Sequence, residues 1–278
     1  MFINDKLIYL QLQKTACTHI ALLLDSRLPG KQVGKHGPLT QDPGDRLVVG
    51  SVRNPWSWYV SLWAFGCQQQ GSIRNRLVAT FPASFAHQVR RNWIHPTRWV
   101  QSARQLRLHA GKDAAHWQSL YASSDDPGLF REWLRNMFSA HGKLLQPGEY
   151  PFLRMNRVAG LMTFRFLRLF VDNQVWQQES ANINSLPELE DLYQRHGIVD
   201  EFIRTESVER DVARLLTGLG VNVDEMDLKV AKTNTSKRRD ISYYYDSEAI
   251  ELVRNQEQFI IDRFGYEPPA ISGKGFEN

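Results

Sequence analysis

The sequence predicts an α/β fold, a central parallel sheet flanked by helices, on three observations. Short apolar runs with the character of covered strands recur at residues 6–12, 47–52 and 200–204. Each run leads into a segment with helical patterning. The connections between the runs are too long for hairpins, so the strands are joined by crossovers and lie parallel.

The first strand, Lys6-Leu7-Ile8-Tyr9-Leu10-Gln11-Leu12, is mostly apolar, as a central strand with both faces covered would be. Gln13-Lys14-Thr15-Ala16-Cys17-Thr18 then forms a turn that opens a helix through Ile20-Ala21-Leu22-Leu23-Leu24, which ends before Pro29-Gly30. Residues 30–45, rich in Gly, Pro and polar groups, read as loop. Leu47-Val48-Val49-Gly50-Ser51-Val52 is the second strand. Pro55 stands where a first helical turn tolerates proline, and an aromatic-rich helix follows over residues 56–65.

Residues 72–178 are Trp- and Arg-rich and mostly helical in pattern, with breaks at Pro82, Pro96, Asp125-Asp126-Pro127-Gly128 and Pro147-Gly148. They read as a large helical insertion within a single domain spanning residues 1–278. Asp200-Glu201-Phe202-Ile203-Arg204 is the third strand. Ser207 caps a helix whose face carries Val208, Val212, Leu215 and Leu216. Residues 229–242 are polar, basic and loop-like. Asp246 caps a final helix striped with Ala249, Leu252, Val253, Ile260 and Phe264 and stopped by Gly265.

Bulk properties narrow the class. With 278 residues, 42% hydrophobic and 23% charged, the chain has the composition of a soluble globular protein. Its net charge of +4 favours anionic ligands without the strong basic bias of a nucleic-acid binder. No window approaches the ~20 apolar residues of a membrane span, and the start lacks a signal-peptide layout. Cys17 and Cys67 are the only cysteines, which fits a reducing, cytoplasmic setting. Neither has a partner at metal-ligand spacing, so no metal site is expected.

Two segments carry chemistry. A strand-to-helix turn aims backbone N–H groups and a helix N-terminus at whatever lies above the strand's carboxyl end, and these favour an anion. Lys14 adds a full charge there, while Thr15 and Thr18 add hydroxyls. The Gly-rich phosphate loop of nucleotide-binding enzymes works this way, but its upstream glycines are replaced here by Leu10, Gln11, Leu12 and Gln13. In the second segment, Arg53-Asn54-Pro55-Trp56-Ser57-Trp58-Tyr59-Val60-Ser61, an Arg fork and the Ser61 hydroxyl suit a phosphate monoester. Taken alone, Lys14 reads equally well as a surface lysine, and a structural arginine is the commoner meaning of Arg53.

Together the segments resemble the sulfotransferase superfamily that uses 3′-phosphoadenosine 5′-phosphosulfate (PAPS), with bacterial members acting on glycans or small metabolites most similar. Lys14-Thr15-Ala16-Cys17-Thr18 matches the family's Lys-Thr-[Gly/Ala]-[Ser/Thr/Cys]-[Ser/Thr] turn. Arg53, Asn54, Pro55, Trp58 and Ser61 match its Arg-[Asp/Asn]-Pro-x-x-[Arg/Trp]-x-x-Ser motif. Ser61-Leu62-Trp63-Ala64-Phe65-Gly66-Cys67 and the ending Phe264-Gly265-Tyr266-Glu267 are also similar, whereas the middle third matches only in phrases such as Gly160-Leu161-Met162-Thr163-Phe164-Arg165. The resemblance implies a P-loop-like sheet, with Lys14, Thr15, Ala16, Cys17 and Thr18 on the 5′-phosphosulfate and Arg53 and Ser61 on the 3′-phosphate. It also implies a basic loop closing over the nucleotide, matched by Ser236, Lys237 and Arg238.

The chemistry then follows from charge. In-line sulfuryl transfer builds negative charge on the leaving phosphate's bridging oxygen, so positioning and electrostatic stabilisation dominate. The resemblance places Lys14 at that oxygen and implies adenosine 3′,5′-bisphosphate as the product. The sulfuryl group carries a single charge, so no metal is required in principle. The resemblance places a base on the acceptor side after the first helix, where His36 lies, with an imidazole suited to proton removal near neutral pH. His19 is a second candidate base but lies inside the anion turn, Glu206 is a candidate to orient basic side chains, and Cys17 is a turn residue. Trp93, Trp99, Trp117 and Trp133, set among Arg90, Arg91, Arg98 and Arg104, read first as insertion core and second as an acceptor cleft. The acceptor is a hydroxyl or amine of a glycan or small molecule. The alternatives are a P-loop-type nucleotide kinase, which needs a Gly-rich loop and an acidic Mg²⁺ ligand, and a basic nucleic-acid-binding protein.

Overall fold

The computed structural model describes residues 1–80, 111–223, 228 and 239–271. In chain order the elements that matter here are β1 (Phe2–Ile3), β2 (Leu7–Tyr9), α1 (Cys17–Arg27), β3 (Lys31–Gln32), β4 (Leu47–Val52) and α2 (Pro55–Cys67). They continue with α3 (Ser72–Val78), α4 (Ala114–Ser119), α5 (Pro127–Phe138), α6 (Ala140–Leu144), α7 (Leu161–Phe170), α8 (Asn173–Glu179) and α9 (Leu186–His196). Strand β5 (Glu201–Arg204), α10 (Val208–Gly218) and α11 (Ser247–Phe264) complete the set.

The sheet is mixed rather than wholly parallel, with five strands in the order β3-β1-β2-β4-β5. The three anticipated strands form the parallel half: Leu7 pairs with Leu47 and Val49 with Glu201. The other half is antiparallel and was not anticipated, because β1 and β3 have two residues each, too few for a period to show. Asn4 builds the first hairpin, its side-chain oxygen accepting from the N–H groups of Lys6 and Leu7. Strand β3 falls inside the segment read as loop.

Side chains alternate along the strands to build two cores. Leu7, Tyr9, Val49 and Ile203 pack with α1 and α10, while Ile8, Val48 and Val52 pack with α2, α5, α7 and α11. Gly50 is required on β4, since a Cβ there would meet the Phe202 ring at 2.6 Å. Proline starts α2 and α5, with Asn54 and Asp126 accepting from first-turn N–H groups. Asp246 caps α11, and Gly265 ends it in the left-handed region at φ 63°. Ser207 precedes α10 without capping it; its hydroxyl donates to Asp211 instead. Trp117 and Trp133 are core residues. Trp93, Trp99, Arg90, Arg91, Arg98, Arg104, Ser236, Lys237 and Arg238 lie outside the described residues. No helix among the described residues is long and apolar enough to cross a membrane.

Candidate functional site

The chain leaves β2 toward β3 on one side and returns through β4 on the other, so the strand order reverses between β2 and β4. In open α/β sheets the crevice beyond the strand carboxyl ends at such a reversal is where ligands bind. The Lys14 turn follows β2 and Arg53 follows β4, which places both at that crevice.

The Lys14 turn curls tightly without glycine. Lys14 (φ 64°) and Ala16 (φ 55°) are left-handed, and Thr15 between them is not. Such alternation turns successive N–H groups to one side and forms an anion-binding concavity. Helix α1 begins there with no side-chain cap and no acid in its first turn. The Thr15 hydroxyl is fully buried and donates to the Leu12 carbonyl at 2.8 Å. A carbonyl can only accept, so Ser51 must donate to Thr15 (2.7 Å) and Tyr9 to Ser51 (2.8 Å). That chain locks the turn to the sheet and corrects the expectation that the Thr15 hydroxyl faces a ligand; its backbone N–H remains in the curl. Lys14 Nζ stands 3.7 Å from the centre of the Phe65 ring on α2, and Lys35 Nζ donates to Thr18 Oγ1 at 3.2 Å. Burial pushes the Cys17 thiol above its ordinary range, so Cys17 is a packed turn residue and no thiolate nucleophile.

Arg53 joins the two turns. Its Nη1 donates to the Lys14 carbonyl at 3.0 Å, while Nε and Nη2 both donate to Ser57 Oγ at 2.9 and 2.7 Å. Trp58 Nε1 adds a bond to the Gln13 carbonyl at 2.6 Å. Ser61 is buried one helical turn beyond Ser57. At ~1.5 Å rise per residue, Ser61 begins ~12 Å along the axis from Arg53 and Ser57 only ~6 Å, which is why the guanidinium meets Ser57. The i,i+4 spacing of Arg53 and Ser57 was the available signal for this contact.

His36 is held on the other flank of the turn. Gln11 and Gln32 exchange amide hydrogen bonds of 3.0 and 2.9 Å, tying β3 to the end of β2. The chain then reverses through Gly34 (φ 62°) and His36 (φ 60°). His36 Nδ1 lies 2.7 Å from the Gln11 carbonyl and must therefore carry the proton, which leaves Nε2 as acceptor in the neutral ring. Burial is the largest influence on His36 and lowers its pKa below the ordinary value, with help from Arg165 and Lys35. His36 lines a small, open cleft with Gln13, Pro38, Arg165, Arg168 and Leu169. Gln13 thus borders both the anion turn and the cleft. Arg165 is a cleft residue that sequence reasoning quoted but gave no role, because nothing local distinguishes it from Arg168 one turn on.

Two further expectations are corrected. His19 sits against α10, with Nε2 3.6 Å from Glu209, and takes no part in the turn's concavity. Among the described residues Glu206 pairs with no basic side chain; it accepts from the Asn54 N–H at 2.8 Å and from the Tyr266 hydroxyl at 3.4 Å, anchoring the start of α2. Among the described residues no three His, Cys, Asp or Glu side chains are grouped to hold a metal. Comparison with protein-family models, curated proteins and solved structures found no match.

Proposed function

We propose that this chain is a PAPS-dependent sulfotransferase acting on a hydroxyl or amine of a glycan or small-molecule acceptor. The observation that carries the reading is the 3.0 Å bond from Arg53 to the Lys14 carbonyl. It makes one cradle of two turns at neighbouring strand ends, as a ligand with two separated anionic groups requires. The glycine-free curl, the uncapped start of α1 and the lysines at positions 14 and 35 suit the phosphosulfate end. Arg53, with Ser57 and Ser61 on the same helix, suits the 3′-phosphate end.

In this reading the backbone N–H groups of residues 15–18 hold the phosphosulfate. Lys14 leaves the Phe65 face to meet the charge that develops on the bridging oxygen. His36 Nε2 takes the acceptor's proton, and its lowered pKa keeps the ring neutral and receptive at neutral pH. The family resemblance assigns Ser236, Lys237 and Arg238, which lie outside the described residues, to contact with the nucleotide.

Thermal unfolding tests the reading. Adenosine 3′,5′-bisphosphate is expected to raise the melting temperature by mass action, ATP with Mg²⁺ to raise it much less, and duplex DNA not at all. Equal or greater stabilisation by ATP would replace the assignment with a nucleotide kinase, and stabilisation by DNA would replace it with a nucleic-acid binder.

A further inference from the structure

Arg165 reaches the cleft beside His36 from the middle of α7. Its guanidinium packs over the Trp58 ring at 5.7 Å. Among the described residues, no carboxylate pairs with it and no hydrogen-bond acceptor meets it. Burial pulls its pKa down to about 10, still far above neutrality, so the group is charged and only partly hydrated. Its neighbour Arg168 is already engaged, with Nε 3.2 Å from Glu149. Among the described residues the cleft lining includes two arginines and His36 and no acid. A half-buried charge with no counter-charge among the described residues is costly.

We propose that Arg165 is an acceptor-binding residue, and that the molecule entering this cleft carries an oxyanion, a carboxylate or a sulfate, beside the hydroxyl or amine presented to His36. The planar fork of an arginine fits either oxyanion in two-point contact, and the Trp58 face fixes the plane of that fork. Anion docking on Arg165 places the reacting group near Nε2 of His36. It also offsets the positive field of Arg165, Lys35 and the terminal amine on that ring. This inference rests on the sulfotransferase reading and narrows its acceptor to an acidic one.

Three sugars that differ only at C6 provide the test: D-glucose, D-glucuronate and D-glucose 6-sulfate. They are titrated at constant ionic strength into protein holding adenosine 3′,5′-bisphosphate. The His36 ring signal is followed by NMR across pH, with His36→Asn as its assignment. The expected result is a rise in the His36 pKa of about one pH unit with one or both anionic sugars and none with glucose. Whichever oxyanion acts identifies the acceptor's group. Arg165→Gln is expected to abolish the rise and Arg165→Lys to retain part of it. A wild-type His36 that titrates alike with all three sugars overturns the proposal, whether or not the variants fold. The melting shift with the bisphosphate, read on the same sample, keeps the outcomes apart: its absence sinks the sulfotransferase reading, whereas its presence with a silent His36 sinks only the acidic acceptor.

Discussion

The starts of α1 and α7 pose one physical problem and receive opposite answers. Each presents orphan N–H groups and the positive end of a helix dipole, and neither has a side-chain cap from its own N-cap residue. At α7 the chain supplies its own anion. Glu257, fully buried on α11, accepts from the N–H groups of Met162 (3.1 Å) and Thr163 (2.8 Å), the Thr163 hydroxyl (2.6 Å) and the Tyr59 hydroxyl (2.5 Å). At α1 the first turn has no acid; Lys35 Nζ donates to Thr18 there, while Lys14 Nζ packs on the Phe65 ring of α2. A helix start filled from within is architecture. The start of α1, without an acid of its own, is on the proposed reading the place for an anion from outside.

The first way to break this contrast is at Gly160, which precedes α7. A Cβ there would lie 2.1 Å from Glu257 Oε1 and 2.9 Å from the Tyr59 hydroxyl. Helix α11 is already bent at Glu257 (φ −119°, ψ 22°), and the Gly160 N–H is committed to the Gln256 carbonyl at 2.6 Å. The carboxylate therefore cannot retreat without losing its donors. Gly160→Ala is expected to lower stability by about 3 kcal/mol or more, read as a fall in the urea midpoint. An unchanged midpoint would show that the Glu257 lock carries no weight.

Lys14→Ala acts on the other helix start. Removing one preorganised donor is expected to reduce turnover by 10²–10³-fold, equivalent to about 3 kcal/mol. The melting temperature of the free protein should change little, and the bisphosphate should still raise it. Arg53→Ala should differ in kind. It removes the bond to the Lys14 carbonyl as well as the proposed phosphate contact, so bisphosphate stabilisation and intrinsic stability are expected to fall together. A Lys14→Ala protein that unfolds early would put α1 in the same class as α7.

The contrast also predicts a pH signature at the start of α7. Burial raises the Glu257 pKa above its ordinary 4.5, against the pull of its four donors. The folded chain then holds a proton that the unfolded chain has released between 4.5 and the raised value. Stability from this group is complete below 4.5 and declines as pH climbs through that window, by up to about 1.4 kcal/mol per pH unit. The difference in unfolding free energy between wild type and Glu257→Gln should therefore vary across mildly acidic pH. A constant difference would mean that Glu257 ionises normally when folded.

The legibility of these features in the sequence follows from their range. Strand β4, α2 and the Asp246 and Gly265 ends of α11 were readable because apolar runs, Pro55 and the capping residues act locally. The two-residue strands were not, since β1 and β3 exist through pairing with each other and with β2. At the site, Lys14 and Arg53 were legible by type and position. The bond between them spans 39 residues and has no local trace. Ser57 was within reach of helical spacing, whereas the roles of Gln11, Lys35 and Arg165 come from contacts 17 or more residues distant or from a cleft between elements. Glu257 is the clearest case: it reads as one more polar position on an amphipathic helix until α7 meets it.

The smallest expected effect sharpens the comparison most. Gly160 is needed for space, but Ala16 shows that the anion turn needs a conformation rather than a residue, since it holds φ 55° with a methyl group. A left-handed non-glycine residue costs roughly 1–2 kcal/mol, and glycine would relieve that. Glycine also frees the unfolded chain, which takes back about 0.4–1 kcal/mol. Ala16→Gly should therefore shift the melting temperature by only a few degrees, upward if at all, with bisphosphate affinity nearly unchanged. Ala16→Val strains the same φ and should lose both stability and affinity. If Ala16→Gly instead weakened bisphosphate binding as severely as Ala16→Val, the methyl group rather than the N–H curl would be holding the anion.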